Sequence, residues 1–180
     1  MSEKFETSQA SGAHYQLSRF VGEWKGTAKT WFDPNKLEDE SPISGTMRLI
    51  LDGKFIMHEY KGSFKEKPMT GIAIYGYQLE LQKFQCAWID SFHNGTSIMF
   101  SEGKRGDKDI SVLGSYVYVT PDIEQQWGWR THIEFISDDE LVITAYNVSP
   151  DGQESKATET IYKKVQQHPF LSPCIPDQII

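Results

Sequence analysis

Three side chains stand out as equipped for chemistry: Asp90, His58 and Tyr60. The run Trp88-Ile89-Asp90-Ser91-Phe92 reads as strand, and the two-residue period puts Asp90 on one face with Trp88 and Phe92. A carboxylate among rings must be ion-paired, hydrogen-bonded or raised in pKa by desolvation. Such a group serves as a general base or ligand anchor, or as a structural bond to backbone donors or a neighbouring Tyr or Arg. His58 and Tyr60 stand two apart, so an imidazole and a phenol project from one face and can share a proton or hold a polar ligand group. A satisfied core histidine is the alternative.

Other chemistries find little support. The histidines His14, His58, His93, His132 and His168 show no HxH, HxxH or HExxH spacing, so no intrinsic metal is expected. His93 abuts the Asn94-Gly95 turn and counts to the outer face, a solvated hairpin residue. No GxSxG elbow is present, and Cys86 inside a strand reads as a core thiol. With Cys174 it makes two cysteines, too few for a disulfide framework. The aromatics Trp88, Tyr116, Trp127 and Trp129 suggest a stacking platform for single-stranded nucleic acid. Eighteen Lys and Arg against 25 Asp and Glu, a formal charge of −7, withhold the basic groove such a platform needs. No apolar leader or membrane-length apolar run occurs, and a soluble cytoplasmic protein with no cofactor is expected.

The elements that must position these groups are strands. From Trp24 onward, short runs rich in Val, Ile, Thr, Phe, Tyr and Trp are cut by Gly, Asp, Asn and Pro. They predict ten strands at 24–32, 43–51, 54–64, 69–78, 83–93, 96–104, 108–119, 126–136, 140–148 and 153–164. Before them, His14, Leu17, Phe20 and Val21 recur at helical spacing and predict a short helix that plugs or caps the rest. Ten strands in sequence must curl to bury one face and remove their edges, so the fold class is all-β, a closed ten-stranded antiparallel meander barrel. One domain over 14–164 follows, with a flexible lead at 1–13 and a proline-rich tail at 165–180 that wraps the barrel or a partner.

The turn dipeptides Asp52-Gly53, Asn94-Gly95 and Gly106-Asp107 fix register. The first sets Leu49 opposite Ile56, Met47 opposite His58 and Gly45 opposite Tyr60, with Met47, Leu49, Ile56, His58 and Tyr60 inward. The second sets Asp90 opposite Met99 and Trp88 opposite Ser101; the third sets Ser101 opposite Val112 and Ser97 opposite Tyr116. Trp88, Asp90, Phe92, Met99, Ser101, Val112 and Tyr116 then share an inward face. Ile89, Ile98, Phe100 and Leu113 fall outside, apolar enough for a subunit interface and a homodimer. In WGWRTHIEF, Trp127, Trp129, Thr131, Ile133 and Phe135 point in and Arg130 points to water, unless a bulge reverses the phase.

The segment Phe20-Val21-Gly22-Glu23-Trp24, a helix running into Gly-x-Trp, resembles the entrance of lipocalins and fatty-acid-binding proteins. The wider run GEWKGTAKTWF, LDGKFIMHEYKGSF, WIDSFHNGTSIMFSEG, VLGSY, WGWRT and LVITAYNVSPDGQESKATETIY resembles a bacterial family known as domain of unknown function 1579, over residues 17–164. That resemblance implies a lipocalin-like, calycin-like barrel and no activity to carry over. The last strand offers Thr160-Ile161-Tyr162 where fatty-acid-binding proteins place Arg-x-Tyr, so their carboxylate-reading arginine is missing. The barrel outline is also similar to haem-binding nitrobindins, yet QESKATETIYKK holds no histidine to match their axial ligand.

Together these residues predict a barrel that binds a small, largely hydrophobic molecule with one polar group, in a pocket lined by Trp24, His58, Tyr60, Trp88, Asp90, Met99 and Tyr116. Two other readings stay open. One is an enzyme using Asp90 and His58 as an acid/base pair on a small hydrophobic substrate; the other is a dimeric interaction protein with a solid barrel.

Overall fold

The computed structural model describes residues 2–166, and the expectation that the tail wraps the barrel or a partner falls on 167–180, outside the described residues. The elements in chain order are α1 (Glu3–Ser11), α2 (Ala13–Ser18), β1 (Gly22–Asp33), β2 (Lys36–Ile50), β3 (Phe55–Phe64), β4 (Lys67–Gln78), β5 (Lys83–Asp90), β6 (Met99–Glu102), β7 (Ile110–Val119), β8 (Glu124–Ser137), β9 (Glu140–Val148) and β10 (Glu154–Lys164). Each strand pairs with its sequence neighbours, and β1 pairs with β10, so the sheet closes as the ten-stranded antiparallel meander barrel that the sequence predicts. Closure leaves no strand at a sheet edge and gives every strand one face toward a common interior.

The closing seam runs from Trp24 opposite Lys164 to Thr30 opposite Thr158. Its tightest point is Gly26, opposite Tyr162, where a Cβ would collide with the backbone carbonyl of Ile161. Two inward glycines serve side chains instead. A Cβ at Gly45 would stand 2.6 Å from Nε2 of His58, and one at Gly71 would strike the Tyr60 ring. These rings cross the interior because the strands facing them carry no side chain.

The half of the interior next to the helices is solid. Leu17, Phe20, Trp24, Ile56, Phe84, Ile110, Leu141 and Tyr162 are all nearly inaccessible to solvent there. Residues 1–13, expected as a flexible lead, instead carry α1. Phe5 is buried with its ring edge-on to His14 at 4.7 Å, and Ser8 Oγ lies 2.8 Å from His14 Nδ1. One apolar anchor and one polar bond are too few to register as periodicity. α2 confirms the expected plug through His14 and Leu17, whereas Val21 lies exposed past the helix end. Among the described residues no helix is long and apolar enough to cross a membrane.

The residues counted inward on β3, β5, β6 and β8 face the interior, Leu49 at the end of β2, expected inside, is exposed, and two registers differ from the sequence count. The hairpin at Asp52-Gly53 pairs as expected, with Leu51, Asp52 and Gly53 all at positive φ. Beyond β5 the pairs are Trp88 with Met99 and Cys86 with Ser101; beyond β6, Ser101 faces Gly114. Each is a slip of two residues, which preserves which side faces in. Phe92, expected inside, is exposed and stacks on Phe64 at 4.5 Å between centroids. Arg130 lies outside as expected, paired with Glu154 and over the Tyr146 ring.

The seam gives a direct test. Gly26→Ala must part β1 from β10, and the unfolding free energy in chemical denaturation should fall by about 3 kcal/mol. An unchanged midpoint would mean that the seam is looser than the structure has it.

Candidate functional site

Asp90 ends β5, and its carboxylate turns the chain. Oδ1 accepts the backbone N–H groups of Phe92 (3.2 Å), His93 (2.6 Å) and Asn94 (3.0 Å). Side-chain oxygens that collect nearby N–H groups compete with the ladder. The strand therefore stops, and residues 91–98 form a loop in place of the expected two-residue hairpin at Asn94-Gly95. The Asn94 amide secures the turn by donating to the carbonyl of Trp88 at 3.3 Å.

That loop overturns the expected position of His93. Rather than standing outside in solvent, its side chain is folded back over the barrel mouth, 18% exposed. Its ring sits 5.4 Å from Trp88, 5.6 Å from Trp129 and 4.7 Å from Phe92, centroid to centroid. Nδ1 lies 2.5 Å from Asp90 Oδ2 and donates to it, since a carboxylate oxygen accepts. Nε2 is buried with no hydrogen-bond partner.

A short chain of bonds backs this pair. Trp88 Nε1 donates to Tyr60 Oη at 2.8 Å, and Tyr60 Oη donates to Asp90 Oδ2 at 3.3 Å. Burial pushes the Asp90 pKa up, but the hydrogen bond from His93, its charge and the backbone N–H groups of Asn94 and His93 outweigh it, so the net shift is downward. Asp90 is thus an ionised carboxylate with both oxygens engaged. Burial, then the charge of Asp90, raises the Tyr60 pKa and keeps the phenol protonated. Burial lowers His58 to about 4, and its Nε2 lies 3.3 Å from Tyr162 Oη. Burial likewise lifts the Cys86 thiol to about 12.

Beneath His93 lies a cavity of about 90 Å³, walled by His58, Tyr60, Tyr75, Cys86, Trp88, Trp129 and Tyr162 among others. The stacked pair of Trp88 and Trp129, 5.4 Å apart, forms an apolar part of its wall. Of the seven residues expected to line a pocket, His58, Tyr60 and Trp88 do so. Asp90 stands behind His93 and presents no free oxygen. Trp24 lies in the solid half, its Nε1 donating to the Phe20 carbonyl at 2.8 Å. Met99 packs with Trp129, Ala145 and Ala157, and Tyr116 against them, to one side of the cavity; Tyr116 Oη donates to Asn147 Oδ1 at 2.9 Å. Asp90 and His58 hold different partners and share no hydrogen bond.

His93 and Trp129 are the site residues that a sequence count misplaces or leaves as plain core. The usable signal was Asp90-Ser91-Phe92-His93-Asn94: an acid at a strand end with an imidazole three residues on, inside the reach of its own carboxylate. Among the described residues, no group of three His, Cys, Asp or Glu side chains converges as a metal site.

Comparison with known proteins places this arrangement. A family model described as "Protein of unknown function (DUF1579)" matches residues 9–164. No curated protein matches the chain. Among solved structures, the S-type phycobiliprotein lyase CPES from Guillardia theta is similar with a TM-score of 0.56 and 12% identity, covering 93% of this chain and 100% of that one. Rv2717c from M. tuberculosis is similar with a TM-score of 0.57 and 12% identity, covering 87% of this chain and 99% of that one. At such identity the likeness is one of fold, a calycin-like barrel.

The buried imidazole of His58 makes a pH prediction. Its folded pKa of about 4 lies below the ordinary 6.5, so the unfolded chain takes up its proton first as pH falls. The associated stability is complete above about pH 6.5 and drains away toward pH 4, by about 3 kcal/mol in all. In urea titrations at stepped pH, His58→Gln should flatten that part of the curve. Asp90, lowered as His58 is, contributes stability that is complete above its ordinary 3.8 and is lost only as pH falls below that value.

Proposed function

We propose, for a chain that belongs to the family "Protein of unknown function (DUF1579)", that the barrel binds a small, largely apolar molecule whose one polar group meets Nε2 of His93. The observation that carries this reading is that nitrogen: buried, unpartnered and held beside an aromatic cavity. A buried polar atom left without a partner costs about 1–3 kcal/mol, and a ligand that supplies one recovers that cost. Asp90 holds the ring in place from behind by fixing Nδ1, so Nε2 is pre-oriented before anything binds.

Size and shape narrow the ligand. A cavity of about 90 Å³ exceeds what one water occupies and falls below the roughly 150 Å³ that accommodates benzene in an engineered core. The ligand is therefore compact, or enters as the 91–98 loop gives way. Stacked indoles suit a flat, unsaturated or aromatic body. Among the described residues Lys29 is the single lysine or arginine on the cavity wall and none takes part in the bond chain around Nε2, which speaks for a single polar atom in preference to a multiply charged headgroup.

Calorimetry with phenol and toluene, two rings that differ in one hydroxyl, tests the reading. The wild type should bind phenol about tenfold more tightly than toluene, the value of one hydrogen bond. His93→Phe keeps a ring over the mouth but no nitrogen, and should erase the preference. Equal affinities in the wild type, or a preference that survives His93→Phe, would overturn it. Failure of either ring to bind, with native mass spectrometry of the purified chain showing no retained small molecule, would overturn it too.

A further inference from the structure

The hydrogen bond behind His93 decides what Nε2 can do. Asp90 Oδ2 accepts from Nδ1, which fixes the proton of a neutral ring on that side. The neutral imidazole therefore turns a lone pair, and no N–H, toward the cavity. A ligand carbonyl or ether oxygen is itself an acceptor and leaves that lone pair unmet. A hydroxyl meets it.

The surroundings also suit the ring once it gains a second proton. Asp90 Oδ1 is tied to three backbone N–H groups, and Tyr60 Oη donates to Oδ2 beside His93 Nδ1, so the carboxylate stays ionised behind the ring. The imidazole centroid lies 5.4 Å from that of Trp88 and 5.6 Å from that of Trp129. Both lie within the roughly 6 Å at which an indole attracts a cation. A carboxylate that orients an imidazole and steadies the imidazolium formed from it is the arrangement of a proton-accepting pair.

Taking the binding reading above as its premise, we propose that the ligand's polar group is an acidic hydroxyl, a phenol or an enol, which gives its proton to Nε2 of His93 and is held as the oxyanion. The ligand O–H bond breaks, its electron pair stays on oxygen, and the proton joins the Nε2 lone pair. Carboxylate, imidazolium and oxyanion then alternate in charge, and no further reactant is needed. The flat body that suits Trp88 and Trp129 agrees with this, because an aromatic ring or a double bond is what makes a hydroxyl acidic by spreading the negative charge.

The other ionisable groups on the cavity wall stand outside the exchange. His58 from β3, lowered to about 4 by burial, takes no proton at neutral pH. Tyr60 from β3, Tyr75 from β4, Cys86 from β5 and Tyr162 from β10 already carry their protons, and burial keeps them there. Lys29 on β1 is the one ammonium, and strand alternation sets it out of phase with the buried Trp24 and Thr30.

Pentafluorophenol provides the test, because in mildly alkaline buffer it is already the phenolate. To receive it, His93 must draw a proton from solution. Calorimetry in two buffers of different ionisation enthalpy should show uptake of about one proton per ligand bound, whereas 4-fluorophenol, which brings its own proton, should show none. The fluorine shifts of bound pentafluorophenol should be those of the phenolate. His93→Gln, whose amide hydrogen-bonds but takes no proton, should abolish the uptake. Uptake with the fluorine shifts of the neutral phenol would leave the proton on oxygen and overturn the inference. So would binding without uptake, and its loss in Lys29→Gln would then assign the anion to that ammonium. In both cases a ligand is bound and the binding reading stands; failure of both phenols to bind would remove that reading and the inference together.

Discussion

A carboxylate buried at the end of a strand must draw hydrogen bonds from whatever the chain can fold against it. At Asp90 the donors are three consecutive backbone N–H groups, an imidazole and a phenol. Meeting that demand ends β5, opens the loop at 91–98 and turns His93 inward. A hydrogen bond to an ionised acceptor is worth more than a neutral one, roughly twice as much, and Asp90 gathers five. The position of the cavity roof is therefore set by electrostatics at one side chain, with the aromatic contacts of His93 following from it.

The barrel supplies the frame within which this works. Closure through β1 and β10 depends on Gly26, and the rings of His58 and Tyr60 cross the interior over Gly45 and Gly71. Large side chains against absent ones divide the interior into a solid end under the helices and an open end under the loop. Tyr162 belongs to both: it packs near Trp24 and offers its hydroxyl to His58. The polar atoms of the open end are thus anchored on the packed end.

The sequence disclosed the architecture because strand period and turn residues act locally. A slip of two residues at each of two hairpins changed the partners of Trp88 and Ser101 without changing which way they point. Parity was legible, then, while register was not, since Asp90 competes for the turn with Asn94-Gly95 and a sequence count gives the turn dipeptide precedence. The same competition hid His93. His93 is counted by a strand parity carried past Asp90, where the strand has stopped, whereas His58, Tyr60 and Trp88 lie within β3 and β5, where that parity holds. Trp24 and Met99 show the other limit: an inward direction does not tell at which height along the axis a side chain meets filled or open space.

Burial takes four groups of the open end, His58, Cys86, Tyr60 and Tyr162, out of acid/base chemistry at neutral pH. A general acid or base works best when its pKa lies near the operating pH. Burial carries His58 down to about 4 and Cys86 up to about 12, and it raises Tyr60 and Tyr162 away from neutrality. Each of these groups keeps one protonation state at neutral pH, neutral in every case. Asp90 is charged, yet its two oxygens are saturated by the protein itself, which leaves it to orient His93 and not to touch what enters. Next to the Asp90 bond chain the cavity presents the apolar faces of Trp88 and Trp129 and one fully buried, uncommitted nitrogen. On the proposed reading, such a surface would select a ligand by the position of a single polar atom against a flat apolar body. The strength of that selection depends on how firmly the loop holds the imidazole, and so, through Nδ1, on the same carboxylate that ended the strand.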